Sequence, residues 1–312
     1  MPVKVAVVQK PPVMLDRQKT IESVIHSIGE AAAEGALLIV FPEAYIPGYP
    51  TWIWRLRPGG DMALSADIHA RLRDNAIDLA GGDLQPVRDA AARHHVTVVL
   101  GIHELDSRFS GSTLFNTVLV IGPDGAVLNR HRKMMPTNPE RMVWGMGDAT
   151  GLRVVETPAG RIGTLICWES YMPLARYALY AQNLDIFISP TWDASDNWLA
   201  TMRHISVESG CWVISTATAM QGSDVPEDFP ERERLFDPEE WINDGNAVVV
   251  KPMGTILAGP LTRQTSILYA EIDKEEARRA RRSLDVCGHY SRPDLFSFSV
   301  DRRPDEPATF SD

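Results

Sequence analysis

Several short runs of apolar residues, each followed by a stretch with helical spacing, restrict what this chain can fold into more than any other feature. Ala36-Leu37-Leu38-Ile39-Val40-Phe41 has no polar side chain on either face, so a strand there must be covered on both sides. Before it, residues 3–9 read as a strand. Residues 16–34 read as a helix, with Ile21, Val24, Ile25 and Ile28 on one face and Gly35 as its stop. After it, helices are expected at 66–80 and 85–95, leading into a strand at 96–103. The rhythm then changes at Gly122-Pro123-Asp124-Gly125, a tight-turn sequence between two strand patterns in 113–133. That hairpin delivers Lys133 at the end of its second arm.

A strand at 152–157, a turn around Pro158-Ala159-Gly160 and a further apolar run bring the chain to Cys167-Trp168-Glu169. Pro173 suits the first turn of a helix over 174–182, where a missing N–H costs nothing. Strands at 185–189 and 211–217 flank a helix at 198–209, three more strands are expected at 246–250, 255–257 and 266–272, and a helix over 274–282 closes the series. The polar, acidic stretch 222–244 reads as a surface loop. Elements in this order predict an α/β fold of two packed sheets clad by helices, as one domain over 1–299 with no linker. Residues 300–312, rich in Pro, Asp and Arg, are expected to form an extended or disordered tail.

Composition narrows the function classes. With a formal charge of −10 the chain is a poor candidate for nucleic acid, which needs concentrated basic surface. The cluster Arg278, Arg279, Arg281 and Arg282 follows acidic residues in a helical pattern and reads as a solvated or intersubunit face. The N-terminus passes straight into a strand pattern rather than a signal peptide, and no apolar run approaches membrane-spanning length. Cys167, Cys211 and Cys287 form no CxxC pair and no even-numbered framework. A cytoplasmic protein with no structural disulfide and no zinc site is therefore expected. Gly145-Met146-Gly147 is too short for a phosphate loop, and no cofactor is expected.

Three side chains stand at comparable places: Glu43 after one strand, Lys133 after a hairpin arm and Cys167 after another strand. Singly each has an ordinary reading, a solvated charge for Glu and Lys and a packed core residue for Cys. Their chemistry fits together, however. A thiol with a pKa of about 8.5 needs a neighbouring base or cation to become a useful nucleophile. Glu43 can take the proton, and Lys133 can favour the negative charge.

The motifs around these residues are specific. Phe41-Pro42-Glu43, then His131-Arg132-Lys133 with Pro136-Thr137 and Glu140-Arg141, then Cys167-Trp168-Glu169 resemble the three catalytic motifs of the nitrilase superfamily of carbon-nitrogen hydrolases. The stretches 141–148 and 288–294 resemble the true nitrilase branch, whereas related amidases and carbamoylases usually carry Tyr or His and then Asp after the cysteine. The likeness runs from Val3 to about Phe298, with a shorter tail than many nitrilases have. It implies an αββα sandwich of two mixed sheets and a cofactor-free enzyme that converts nitriles and water to carboxylic acids and ammonia, with some amide. The alternatives are an amidase or carbamoyl amide hydrolase using the same triad, or a noncatalytic interaction protein of this fold. Assembly as a homodimer or larger homo-oligomer is implied as well.

By the same resemblance Cys167 is the nucleophile, Glu43 the general base and Lys133 the stabilising cation. Glu140 either orients Lys133 or shares its proton traffic. The Trp168 backbone N–H is a candidate oxyanion donor. Thr191 and Trp192, after the strand that follows the cysteine helix, are placed to touch substrate, although Trp192 also suits ordinary core. Tyr49, Trp52 and Trp54 line the pocket, support its wall or meet another subunit. Glu169 is read as structural, His204 as a helix-face partner of Glu208, His289 and Tyr290 as packing near the site, and Cys211 and Cys287 as buried and inert.

Overall fold

The computed structural model describes residues 2–109, 111–306 and 308. Its first sheet contains β1 (Val3–Val8), β2 (Leu38–Val40), β3 (Ile77–Asp78), β4 (Thr97–Leu105), β5 (Leu114–Ile121), β6 (Val127–Arg132) and, arriving last in the chain, Ile267–Ile272. The second contains β7 (Val155–Thr157), β8 (Gly160–Thr164), β9 (Ile186–Pro190), β10 (Trp212–Thr216), β11 (Ala219–Gln221), β12 (Trp241–Val250) and β13 (Ile256–Thr262), so that Ile267–Ile272 is β14. The strand orders are β14-β1-β2-β4-β5-β6, with β3 on β4, and β11-β12-β10-β9-β8-β7, with β13 on β12. Both sheets mix parallel and antiparallel pairs: β1 runs parallel to β2 and antiparallel to β14, and β9 runs parallel to β8 and β10.

The strand period of two explains why apolar runs were needed. Leu38 and Val40 join Val5, Val7 and Val99 against Ile162, Ile186, Ile188 and Ile214 of the other sheet. Their neighbours Ile39 and Phe41 point the other way, onto the helices α1 (Arg17–Ala33) and, after α2 (Met62–Asp74), α3 (Gln85–His94). On the far side Phe187 and Val213 pack beneath α4 (Pro173–Tyr180) and α5 (Asp196–Ser209). Each such side chain removed from water stabilises the fold by about 2 kcal/mol before the cost of ordering it. Helix, sheet, sheet, helix is the layer order, an αββα sandwich.

Local signals set the helix ends. Asp16 accepts a hydrogen bond from the Lys19 N–H, and Ser195 accepts one from Trp198, so both cap orphan donors. Pro173 opens α4 and Gly210, at φ +64°, closes α5. After α6 (Arg232–Leu235), the helix α7 (Lys274–Ala280) is capped by Asp273.

Two sequence expectations change. The helix expected at 66–80 is α2, which begins earlier and stops at Asn75, where the side chain turns to accept from the Arg17 N–H; Ile77 then pairs with Glu104 as a strand. The stretch 222–244 is not a simple surface loop. Phe229, Leu235 and Phe236 are buried in one cluster with Trp52, and β12 begins at Trp241. Isolated aromatics between charges leave no period to read, so their burial was invisible. The end of the chain lies over the α4–α5 face, with Val286, Cys287 and Val300 packed on it. Residues 300–306 and 308 carry no helix or strand, and residues 307 and 309–312 of the expected tail lie outside the described residues. No helix among the described residues is long and apolar enough to cross a membrane.

Candidate active site

Glu43 follows β2 in a turn laid directly across β4. A Cβ at Gly101 would lie 2.3 Å from the Pro42 carbonyl oxygen and 2.6 Å from the Ala44 nitrogen, so only glycine admits this approach. The turn is secured by Ile46 N–H donating to Gly101 and His103 N–H donating to Ile46. Lys133 stands one residue past β6, its N–H bonded to the Asn116 carbonyl at 2.7 Å. Glu140 lies in a short 3-10 turn, Asn138–Met142, and accepts the Thr137 N–H at 2.7 Å. Cys167 begins a second 3-10 turn, Cys167–Tyr171, three residues beyond β8 and at φ +53°. For a residue with a Cβ this left-handed conformation carries strain, of the kind held at functional sites by the surrounding structure.

The ammonium of Lys133, wholly buried, lies 2.7 Å from Glu43 Oε1 and 2.7 Å from Glu140 Oε2. The two carboxylates are used differently. Glu140 receives three donors: the Tyr49 hydroxyl at 2.7 Å on Oε1, and Lys133 and the Thr137 N–H on Oε2. Glu43 receives two, Lys133 and the Asn116 side-chain amide at 2.7 Å, both on Oε1. Its Oε2 is buried without a hydrogen-bond partner among the described residues. Both oxygens of Glu140 are therefore engaged, whereas Glu43 keeps one oxygen free to take a proton.

Electrostatics follow from burial and this contact set. Burial pushes Glu43 up to about 7, against the pull of the Lys133 charge. Burial alone would lower Lys133, but the neighbouring carboxylates, Glu43 and then Glu140, reverse it, and the ammonium stays charged. The Cys167 thiol is raised by burial and then by Glu43, with Lys133 and a hydrogen bond from Thr191 opposing. At rest the site holds a protonated thiol within the field of a carboxylate and an ammonium. Transfer of the thiol proton to Glu43 leaves the net charge of the cluster unchanged, which is the transfer a buried site tolerates best.

Glu169 joins the two halves of the site. Its Oε1 accepts the Met134 N–H at 2.6 Å; its Oε2 accepts the Ile166 N–H at 2.8 Å and His131 Nε2 at 2.9 Å. One carboxylate thus bonds His131 on β6, Met134 just after Lys133, and the residue preceding Cys167. Thr191 Oγ1 lies 3.1 Å from Cys167 Sγ. Trp192 stacks on Tyr49, ring centroids 4.4 Å apart and planes within 3°; Trp54 donates to the Tyr49 hydroxyl at 3.1 Å. Trp168 is 45% exposed and donates its indole N–H to Asp193 at 2.8 Å. Its backbone N–H falls in the first turn of the 3-10 segment, where no intrahelical acceptor exists.

Glu43, Lys133 and Glu140 are thus in direct contact, Thr191 touches Cys167, and Tyr49 connects Trp192 to Glu140. Trp52 is core, packed on Phe229. His204 is 3.8 Å from Glu208, which Arg176 and Tyr180 hold more closely. His289 and Tyr290 are exposed, in a stretch whose neighbours Val286 and Cys287 pack on the outer helices. Cys287 is half-buried and only Cys211 of that pair is fully enclosed. Asn116 and His103 were missed. Both are polar residues inside otherwise apolar strands, and that interruption was the available signal. His103 holds Gly48 and Trp144 through its two ring nitrogens, and burial pushes its pKa down to about 3, so it stays neutral. Among the described residues no group of His, Cys, Asp and Glu is arranged to hold a metal ion.

Residues 4–282 match the family model described as carbon-nitrogen hydrolase, and the chain belongs to that family. Within it, the chain is 40% identical over 302 residues to the aliphatic nitrilase of Sinorhizobium fredii (strain HH103), covering 96% of both chains. It is 37% identical to nitrilase 3 of Arabidopsis thaliana and 37% identical to a bifunctional nitrilase/nitrile hydratase of Lupinus angustifolius, in each case over 99% of this chain and 89% of the relative. A carbon-nitrogen hydrolase structure from Helicobacter pylori G27 shares the fold, with a TM-score of 0.71 at 21% identity over 95% of this chain and 97% of that one.

Proposed function

We propose that this protein hydrolyses organic nitriles to carboxylic acids and ammonia, with some amide as a second product. The full-length likeness to nitrilases carries this reading. The name of the bifunctional relatives supports the amide branch. The hydrolase domain spans 1–299, with 300–312 as its tail. The protein works in the cytoplasm as a homodimer or larger homo-oligomer, taking a small nitrile and water and binding neither nucleic acid nor membrane.

In this reading Cys167 Sγ attacks the nitrile carbon while Glu43 takes the thiol proton. A base near pH 7 is matched to that task at neutral pH. Negative charge developing on the nitrile nitrogen meets the Lys133 ammonium and the Trp168 N–H, donors already fixed before reaction. Protonation of that nitrogen gives a thioimidate. Glu43 then activates a water, which adds to the same carbon to form a tetrahedral species. Departure of ammonia leaves a thioester, and a second water releases the acid and restores the thiol. Glu140, held by three donors on its two oxygens, anchors Lys133 and keeps it charged. Tyr49 and Trp192 form the wall behind that anchor.

The test is ammonia release from a panel of nitriles, each paired with its amide, using wild type and Cys167→Ala. Wild type is expected to prefer the nitrile and the variant to release none. Preference for the amides would overturn the substrate assignment, and full activity in Cys167→Ala would overturn the mechanism.

A further inference from the structure

The hydroxyl of Thr191 has its hydrogen bonds assigned by its surroundings. Thr191 is 1% exposed and follows β9, with its backbone N–H held by the Thr216 carbonyl at 3.0 Å. Its Oγ1 accepts the Asp193 N–H at 2.9 Å. A hydroxyl has one proton to give, and among the described residues the acceptor within reach of it is Cys167 Sγ, at 3.1 Å. With the Asp193 amide on one lone pair, the hydroxyl proton is left to point at sulfur: oxygen donates and sulfur accepts.

We propose that Thr191 is a catalytic residue, a fixed donor that stabilises Cys167 sulfur whenever it bears negative charge and so sets the division between amide and acid. This assignment rests on the nitrile-hydrolysis reading. Sulfur is anionic twice in that chemistry. In the attack, the S–H bond breaks, the proton passes to Glu43 and the S–C bond forms. At the tetrahedral species, which carries OH, NH2 and sulfur on one carbon, two bonds compete. If C–N breaks, the hydroxyl proton passes through Glu43 to nitrogen, which leaves as ammonia, and a thioester remains. If C–S breaks, sulfur leaves with the bonding pair as thiolate, the hydroxyl proton passes back to Glu43 and on to sulfur, and the amide is released. A donor on sulfur favours the second break. The hydrogen bond also opposes burial and Glu43, which together hold the thiol above its ordinary pKa.

Thr191→Val keeps the branched shape and removes the hydroxyl, while Thr191→Ser keeps the hydroxyl. Two readouts apply: the pH dependence of Cys167 alkylation by iodoacetamide, followed by peptide mass, and the amide-to-acid ratio from a nitrile. A hydrogen bond to a charged atom outweighs one to a neutral atom by enough to change an equilibrium about tenfold. In Thr191→Val the alkylation midpoint is thus expected to rise by about one pH unit and the amide share to fall about tenfold, with Thr191→Ser restoring both. Thr191→Ala is read in the same way if the valine variant does not fold. A purely structural role predicts slower turnover with the midpoint and the product ratio unmoved. That result, or a rising amide share, overturns the proposal. Alkylation requires no nitrile turnover, so wild-type protein that formed neither ammonia nor amide from nitriles would refute the nitrile reading, while the midpoint would still decide what Thr191 does to the sulfur.

Discussion

Replacing Glu169 by Gln tests whether one buried carboxylate holds the two halves of the site together. The carboxylate is 1% exposed and accepts three hydrogen bonds, from Met134 N–H, Ile166 N–H and His131 Nε2. A glutamine has one accepting oxygen. Placed toward Ile166 and His131, it keeps those two bonds and sets its NH2 against the Met134 N–H, donor facing donor. The loss is one hydrogen bond to a charged acceptor plus an unsatisfied buried donor, together about 2–4 kcal/mol. That is a large fraction of the 5–15 kcal/mol by which domains are ordinarily stable. Urea unfolding is expected to show a midpoint lower by about 1 M at unchanged slope. Turnover should fall further than occupancy of the native state accounts for, because Lys133 and Cys167 no longer share one anchor. Glu169→Ala, which strands all three donors, should be worse in both respects. A Gln variant with the parent's midpoint and turnover would refute the clamp.

Two further outcomes follow from the geometry. Glu43 must be ionised to accept the thiol proton, and with its pKa raised to about 7 the ionised form is lost as pH falls through that value. Activity should therefore drop on the acid side of about pH 7; Glu43→Gln should lose at least about a hundredfold in ammonia release and show no such limb. Gly101→Ala would place a methyl 2.3 Å from the Pro42 carbonyl. It should cost about 1–3 kcal/mol or more in thermal unfolding and displace Glu43, so that residual folded protein is less active than its folded fraction predicts.

Much of the fold was legible because apolar runs and turn residues act locally. Gly122-Pro123-Asp124-Gly125 can hardly be anything but a hairpin turn, and the β5–β6 hairpin is there. The failures share a cause. Phe229 and Phe236 sit among charges in 222–244, and their burial depends on a cluster with residues far away in sequence, Trp52 and Ile68 among them. His289 and Tyr290 carry a nitrilase-like pattern, yet their placement depends on the path of the chain after α7, which no local signal dictates.

The sequence by itself determined the alternation of strands and helices, since burial on both faces demands apolar residues on both, and it marked Glu43, Lys133 and Cys167 by their place just beyond strands. Tertiary structure alone decided what those groups do to one another. Two carboxylates with the same chemistry became different tools because Glu140 meets three donors and Glu43 keeps an unpartnered oxygen. Such differences depend on distances of 2.7 Å between residues up to 91 positions apart, and hydrogen bonding, being short-ranged and directional, is settled only when the sheets have closed around it.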